Sequence, residues 1–272
     1  MVREKGCLVG VLPAVRDEVP GHMRLRSHPG ATYGGLVFGV GERFHRIHAM
    51  VGAIVEFART GGFRRIECLR VTPKPYCRVA SNELEMGLHL NGFVPFRREL
   101  TCGLPVADDL SAILSAQTLW SVRRAEREGV SISFSEDWES FWRLLEGTLG
   151  SRHGAKPTHT LGEILDLKKR CADEIHLLVA MKDGRMISGM VVFACNVRAI
   201  YTMYIAMDYN YSKLQPNYLC LARLIEWAAR RGHSYLDIGV CTEGEGINWG
   251  LYAFKEKFGC GGYFRESYGR DL

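Results

Sequence analysis

Two α/β units in one chain, each built on a mixed sheet, are what this sequence predicts, and three observations carry the prediction. One segment of helix-like and then strand-like periodicity occurs twice at a constant spacing. An Asp-Gly pair sits between two apolar runs as the turn of a hairpin. The remaining apolar runs alternate between the period of a strand and that of an amphipathic helix, which implies a sheet with helices on both sides.

The repeat joins Ile54-Val55-Glu56-Phe57-Ala58-Arg59-Thr60-Gly61-Gly62 and Phe63-Arg64-Arg65-Ile66-Glu67 to Leu224-Ile225-Glu226-Trp227-Ala228-Ala229-Arg230-Arg231-Gly232 and His233-Ser234-Tyr235-Leu236-Asp237. Glu56 and Glu226, Gly62 and Gly232, and Glu67 and Asp237 are each 170 residues apart. Each copy reads as an amphipathic helix ended by Gly in the left-handed position, then a short strand. Ahead of the second copy, Lys182-Asp183-Gly184-Arg185 through Val192-Phe193 reads as a hairpin, because Asp-Gly supplies the two positive φ angles of a tight turn. Its echo is Glu4-Lys5-Gly6-Cys7-Leu8-Val9-Gly10. The first copy is therefore expected to begin inside a hairpin whose leading strand is missing, with another segment covering the edge so exposed. The other elements follow in order: a bridging helix over 108–128 between Pro105 and Gly129, a strand at 130–134, helices near 138–149 and 161–171 joined by a Gly/His/Pro-rich loop at 150–157, a strand at 199–206, the repeated helix at 216–231 with its strand at 235–240, a helix at 249–258 and a closing strand at 262–268. The boundary is expected near residue 115, giving a shortened first unit, 1–115, and a second unit, 116–272.

With 47% hydrophobic and 24% charged residues in 272, the composition is that of a soluble globular protein. No run approaches the roughly 18 apolar residues of a spanning helix, and Met1-Val2-Arg3-Glu4-Lys5-Gly6 is too polar to open a signal peptide. The expectation is a cytoplasmic protein without membrane insertion. Nine cysteines are scattered and never form Cys-x-x-Cys, so neither a disulfide framework nor a zinc cluster is indicated, and they read as small buried hydrophobes. His45 and His48 share a helical face but have no acidic or cysteine partner nearby in sequence, so no metal is expected. A net charge of +5 favours an anionic partner such as a nucleotide co-substrate, a phospholipid-linked substrate or RNA, although no Lys/Arg run forms a nucleic-acid tail.

The order helix, helix, Asp-Gly hairpin, strand, helix, strand, helix, strand resembles the GNAT (N-acetyltransferase) fold. Three stretches carry the likeness: Tyr211-Ser212-Lys213-Leu214-Gln215-Pro216-Asn217-Tyr218-Leu219, Tyr235-Leu236-Asp237-Ile238-Gly239, and Phe254-Lys255-Glu256-Lys257-Phe258-Gly259. The duplication resembles the tandem relatives of that fold, the Fem-type aminoacyl transferases and the acetyltransferase-like proteins grouped with them. The resemblance implies an α/β fold of two GNAT-like units, the first shortened at its N-terminus and the second carrying the donor site. It implies an acyltransferase that moves an acyl group from acyl-CoA to an amine, the amine belonging to a small molecule or to a lipid- or sugar-linked acceptor. Two alternatives stay open: a Fem-type transferase that takes aminoacyl-tRNA and forms a peptide bond, and a non-catalytic GNAT pair that only binds a partner.

One departure bears on the donor. The Arg/Gln-x-x-Gly-x-Gly/Ala phosphate loop of ordinary GNAT enzymes is absent, and Lys213-Leu214-Gln215-Pro216-Asn217 stands in its place. These five residues are donor-binding candidates, because backbone N–H groups after a proline at a helix start can hold an anion; the competing reading is a plain helix cap. Lys255 joins them, since the lysine of a similar Phe-Lys motif in the Fem-type relatives lies by the substrate phosphates; a surface lysine on an amphipathic helix is the alternative. Asp208, at a strand end, is the candidate base, with its place in the first copy taken by Phe38. Tyr211 and Glu243 are the other catalytic candidates. Asp237, Asn248, His28 and Tyr33 are candidates for substrate binding, Asp237 against a structural role shared with Glu67, and His28 and Tyr33 against a turn. Acyl transfer to an amine needs positioning, a polarised carbonyl and a proton acceptor, and no covalent nucleophile.

Overall fold

The computed structural model describes all 272 residues, with side chains for all but Cys68, Arg152 and His153. In chain order the first elements are β1 (Val2–Glu4), β2 (Cys7–Val11), β3 (Ala14–Val19), β4 (His22–Ser27), β5 (Val37–Phe38), α1 (Phe44–Thr60), β6 (Arg65–Arg70), α2 (Glu83–Leu90) and β7 (Val94–Pro105). Then come α3 (Ala116–Arg127), β8 (Ser131–Phe134), α4 (Trp138–His153), α5 (Leu161–Arg170), β9 (Ile175–Lys182), β10 (Arg185–Ala194), β11 (Ala199–Met207), α6 (Pro216–Arg230), β12 (Tyr235–Val240), β13 (Thr242–Glu243), β14 (Gly246–Ile247), α7 (Trp249–Glu256) and β15 (Gly261–Asp271).

The repeat is built the same way twice. After α1, Phe63 N donates to Ala58 O and Gly62 N to Arg59 O; after α6, His233 N donates to Ala228 O and Gly232 N to Ala229 O. Gly62 and Gly232 have φ of +74° and +80°, which a side chain would oppose. The strand that follows runs parallel to the preceding strand in both copies, β6 to β4 (Leu25↔Ile66) and β12 to β11 (Ile200↔Leu236). The hairpin turns also correspond: Lys5 and Gly6 have φ of +48° and +83°, Asp183 and Gly184 of +49° and +75°. Contrary to the sequence expectation, the first hairpin has a leading strand, the three residues of β1, paired through Arg3↔Leu8 and Glu4↔Cys7. β5 covers the other edge of β2 through Gly10↔Phe38.

The compact units are Met1–Leu100 with Tyr263–Leu272, and Thr101–Gly262. They differ from a division at 115 because each copy gives its last strand to the other copy's sheet. β7 follows α2, yet its end pairs with β12 (Leu236↔Leu104); β15 follows α7, yet pairs with β6 (Tyr268↔Leu69). Strand pairing between distant segments leaves no mark in a periodicity, whereas the repeat does. The expected bridging helix is a short 3-10 turn, Leu110–Ala112, followed by α3, which Ser115 caps and whose Thr118 hydroxyl donates to Lys257 O within the second unit.

In the second unit the sheet runs β7-β12-β11-β10-β9-β8. Its strands are buried on both faces: Leu178, Ala180, Met190 and Val192 join a core with α3 and α6, while Leu177, Val179 and Val191 join one with α4 and α5. Burial of each such aliphatic side chain contributes about 1.5–3 kcal/mol. α5 starts in a Thr160–Glu163 capping box, and α6 starts with Pro216 at its first turn. The first unit pairs β3-β4-β6-β15 and packs α1 and α2 over Val51, Ile54, Ile66, Leu69 and Leu88. The cysteines are less uniform than expected: Cys102, Cys220 and Cys241 are buried, but Cys7 and Cys171 are exposed. The side chain of Cys68 lies outside those described.

Candidate active site

β11 and β12 are hydrogen-bonded as parallel neighbours at Ala199↔Tyr235, Ile200↔Leu236 and Tyr201↔Asp237, and no further pair joins them among the described residues. From Thr202 onward β11 keeps β10 on one side, through Met190↔Ile205 and Ser188↔Met207, while its other edge opens into a wedge. A strand edge of this kind presents N–H groups to whatever enters.

At the end of β11, Asp208 lines a cavity of about 760 Å³. One wall is a stripe of α4 (Ser140, Arg143, Gly147, Thr148 and Ser151), and another is Arg185 and Met186 after the hairpin turn. Asp208 Oδ1 accepts from Asn210 N at 3.0 Å, capping the 3-10 helix Tyr209–Leu214, and Oδ2 accepts from Arg185 Nη2 at 2.8 Å. The carboxylate is 12% exposed and the guanidinium 64%. Arg185 also lies over the Tyr211 ring, 5.6 Å from its centroid, and Tyr211 packs on the core below.

The segment proposed for the donor caps α6. Gln215 takes the left-handed conformation (φ +54°), Pro216 is buried at the first helical position, Leu214 packs on the core, and Asn217 Oδ1 accepts from the Ser188 hydroxyl. Lys213 is exposed and has no ion pair or hydrogen bond among the described residues. The buried Gln215 Oε1 has no donor there either.

Other candidates are engaged in contacts within the chain. Lys255 is 2% exposed, and its ammonium donates to Gly239 O at 2.7 Å and Val240 O at 3.1 Å. Asp237 is 3% exposed; its Oδ1 accepts from Thr101 Oγ1 and from Gly239 N, both at 2.7 Å. Helical spacing does not reveal which carbonyls wait beneath a helix, so the burial of Lys255 is not legible from its place in α7. Asn248 caps α7 by accepting from Leu251 N at 2.9 Å and donates to Glu243 Oε2 at 3.1 Å, so Glu243 braces the β13–β14 hairpin. In the first unit, His28 Nδ1 accepts from Gly35 N at 3.1 Å, and the Ser27 hydroxyl lies 2.7 Å from the same nitrogen, which pins the loop; burial pushes the imidazole below its ordinary pKa. Tyr33 packs edge-on against Tyr76.

The sequence reading missed Arg185, the α4 wall and Thr101. The α4 wall had a signal, since Ser140, Arg143, Gly147, Thr148 and Ser151 recur at spacings of one helix face. Burial pushes the Cys220 thiol up to about 12, and burial with the Cys241 contact pushes Cys102 to about 12, so neither offers a thiolate near neutral pH. Among the described residues no helix is long and apolar enough to cross a membrane, and no group of three His, Cys, Asp or Glu side chains is set to hold a metal.

The acetyltransferase (GNAT) domain family matches residues 117–256. No curated protein matches the chain significantly in sequence. Among solved structures, FemX superposes with a TM-score of 0.75 at 16% identity, over 100% of this chain and 87% of that one. The C-terminal domain of a putative lysylphosphatidylglycerol synthetase from Agrobacterium fabrum gives 0.63 at 13% identity, over 95% and 81%. A tandem GNAT protein from the clavulanic acid biosynthesis pathway gives 0.56 at 13%, over 99% and 81%. These likenesses are likenesses of fold.

Proposed function

Because the chain belongs to the acetyltransferase (GNAT) family, we propose that it transfers an acyl group to an amine, with the acyl carbonyl in the wedge beside β11. The observation that carries this reading is the opening of the sheet after Tyr201↔Asp237, which leaves an edge of Thr202–Met207 free to hydrogen-bond a carbonyl oxygen. In the reaction the amine nitrogen bonds to the acyl carbon, the bond to the donor's oxygen or sulfur breaks, the amine loses a proton and the leaving atom gains one. N–H groups aimed at the developing oxyanion are the main source of acceleration in such a step. Asp208, which lines the cavity, orients the acceptor ammonium and takes its proton, while Arg185 holds the carboxylate in place. An amine with pKa near 8 is partly neutral already, so a carboxylate suffices.

Two donors compete, and one observation weighs between them. A coenzyme A pyrophosphate needs free backbone N–H groups ahead of the helix. Here Asn210 N is bonded to Asp208 Oδ1, Tyr211 N to Asp208 O, Gln215 N to Ser212 O and Tyr218 N to Gln215 O, and Pro216 has none, while Asn217 N stays available. With several of the N–H groups at this helix start engaged, an aminoacyl ester of tRNA is favoured over acyl-CoA, in keeping with the FemX and lysylphosphatidylglycerol synthetase likenesses. Lys213 meets a donor phosphate in either case, and Gln215 Oε1 is an acceptor open to a donor hydroxyl. The test offers the protein acetyl-CoA, longer acyl-CoAs, and uncharged or aminoacylated tRNA together with a panel of amines, and reads new amides by mass spectrometry. Amide formed from aminoacyl-tRNA supports the first donor and amide formed only from acyl-CoA the second. Binding of a donor without any amide sinks the enzymatic reading.

A further inference from the structure

The wedge is opened by a local device inside the second unit. Over Ile238–Gly239, β12 pairs with neither neighbour: its ladder with β11 stops at Asp237, and its ladder with β7 is broken between Asp237↔Gly103 and Val240↔Thr101. Backbone groups buried without partners are costly, so the missing ladder bonds must be replaced. Two buried side chains of opposite charge replace them. Asp237 Oδ1 takes the N–H of Gly239 and the hydroxyl of Thr101, and the Lys255 ammonium takes the carbonyls of Gly239 and Val240. Gly239 has φ +83°, the conformation that turns its N–H and C=O out of strand register toward these groups.

We propose that Asp237 and Lys255 are positioning residues, a buried ionic latch that holds β12 away from β11 and so sets the width of the acyl-binding wedge. The inference rests on the acyl-transfer reading for its catalytic consequence and on the hydrogen-bond pattern for its structural one. Neither side chain touches substrate. They act through the backbone of Gly239 and Val240, and Thr101 holds the carboxylate in place. A lysine on the surface of α7 could not do this; one buried ammonium takes two carbonyls, that of Gly239, where β12 has left both ladders, and that of Val240 just beyond it.

The experiment has two arms. In the first, hydrogen–deuterium exchange of the whole, substrate-free protein compares wild type with Lys255→Met and with the milder, isosteric Thr101→Val. The expected result is changed exchange confined to peptides covering 202–207 and 237–241, larger in Lys255→Met. Exchange unchanged there, or accelerated evenly across the chain, overturns the latch. In the second arm, turnover is measured on the donor that proves active. Misplacement of reacting groups by about 1 Å costs on the order of 10²-fold, so kcat should fall by about that factor with the donor KM within about threefold. In Lys255→Ala, added ethylammonium should restore part of the loss. A raised donor KM with kcat unchanged would place the lysine on the substrate and overturn the proposal. If wild type transfers nothing, the acyl-transfer reading fails, while the exchange arm still decides the latch.

Discussion

Replacing Asp208 by asparagine separates the two tasks its carboxylate can perform, and the contacts allow the outcome to be worked out beforehand. The amide keeps an oxygen at Oδ1, so the bond from Asn210 N that caps the 3-10 helix survives. What is lost is the 2.8 Å ion pair with Arg185, whose guanidinium is 64% exposed. A pair screened to that extent contributes less than about 1 kcal/mol. With a shift of roughly 2–4 °C per kcal/mol for a domain of this size, the melting temperature should drop by less than about 4 °C. A proton acceptor in the transition state is worth 10²- to 10⁴-fold, so turnover should fall by about that factor with little change in donor affinity. Melting curves, calorimetric donor titration and amide formation on the same preparations measure all three quantities. Arg185→Met is the control: it breaks the same pair from the other side, keeps the carboxylate, and should retain turnover within about tenfold. If Asp208→Asn keeps turnover within about threefold of wild type, Asp208 is a cap and the acid–base assignment is wrong.

Three further outcomes follow from contacts already described. Lys213→Ala should weaken donor binding by about 10- to 150-fold, the loss of one charge-assisted hydrogen bond, without moving the melting temperature, because Lys213 is exposed; unchanged affinity in calorimetry would remove it from the site. Gly103→Ala should destabilise the second unit by about 1–3 kcal/mol, since a Cβ there would meet the Tyr235 hydroxyl and lie 2.6 Å from Leu236 O; an unshifted denaturation midpoint would contradict the close approach of β7 and β12. Burial lowers the pKa of His28, His176 and His233 in the folded chain. The unfolded chain, titrating near 6.5, then binds more protons, so this stabilisation is present above about pH 6.5 and lost as pH falls below it toward the lowered values. Melting temperatures at pH 7.5 and 5.5 should show the fall, and a His176→Phe, His233→Phe double variant that falls as far as wild type would refute this cause.

What this sequence determined by itself was local and repeated. The helix and strand periods, the left-handed glycines Gly62 and Gly232, the Asp183-Gly184 turn and the spacing of 170 residues between copies are short-range constraints, and each appears in the fold where the sequence places it. The acyltransferase family was legible for the same reason, since the order of elements over 117–256 is itself a linear property. Tertiary structure decided everything that depends on which distant groups meet. The exchange of β7 and β15 between copies is set by pairing across 130 to 139 residues in one case and 197 to 206 in the other. The burial of Lys255 is set by the carbonyls of Gly239 and Val240, which its ammonium meets where the ladder of β12 with β7 is interrupted between Asp237 and Val240. A lysine on an amphipathic helix has one pattern in sequence whether it faces water or a bent strand. The difference lies in the backbone groups left unsatisfied beneath it, and those exist only once the sheet has formed.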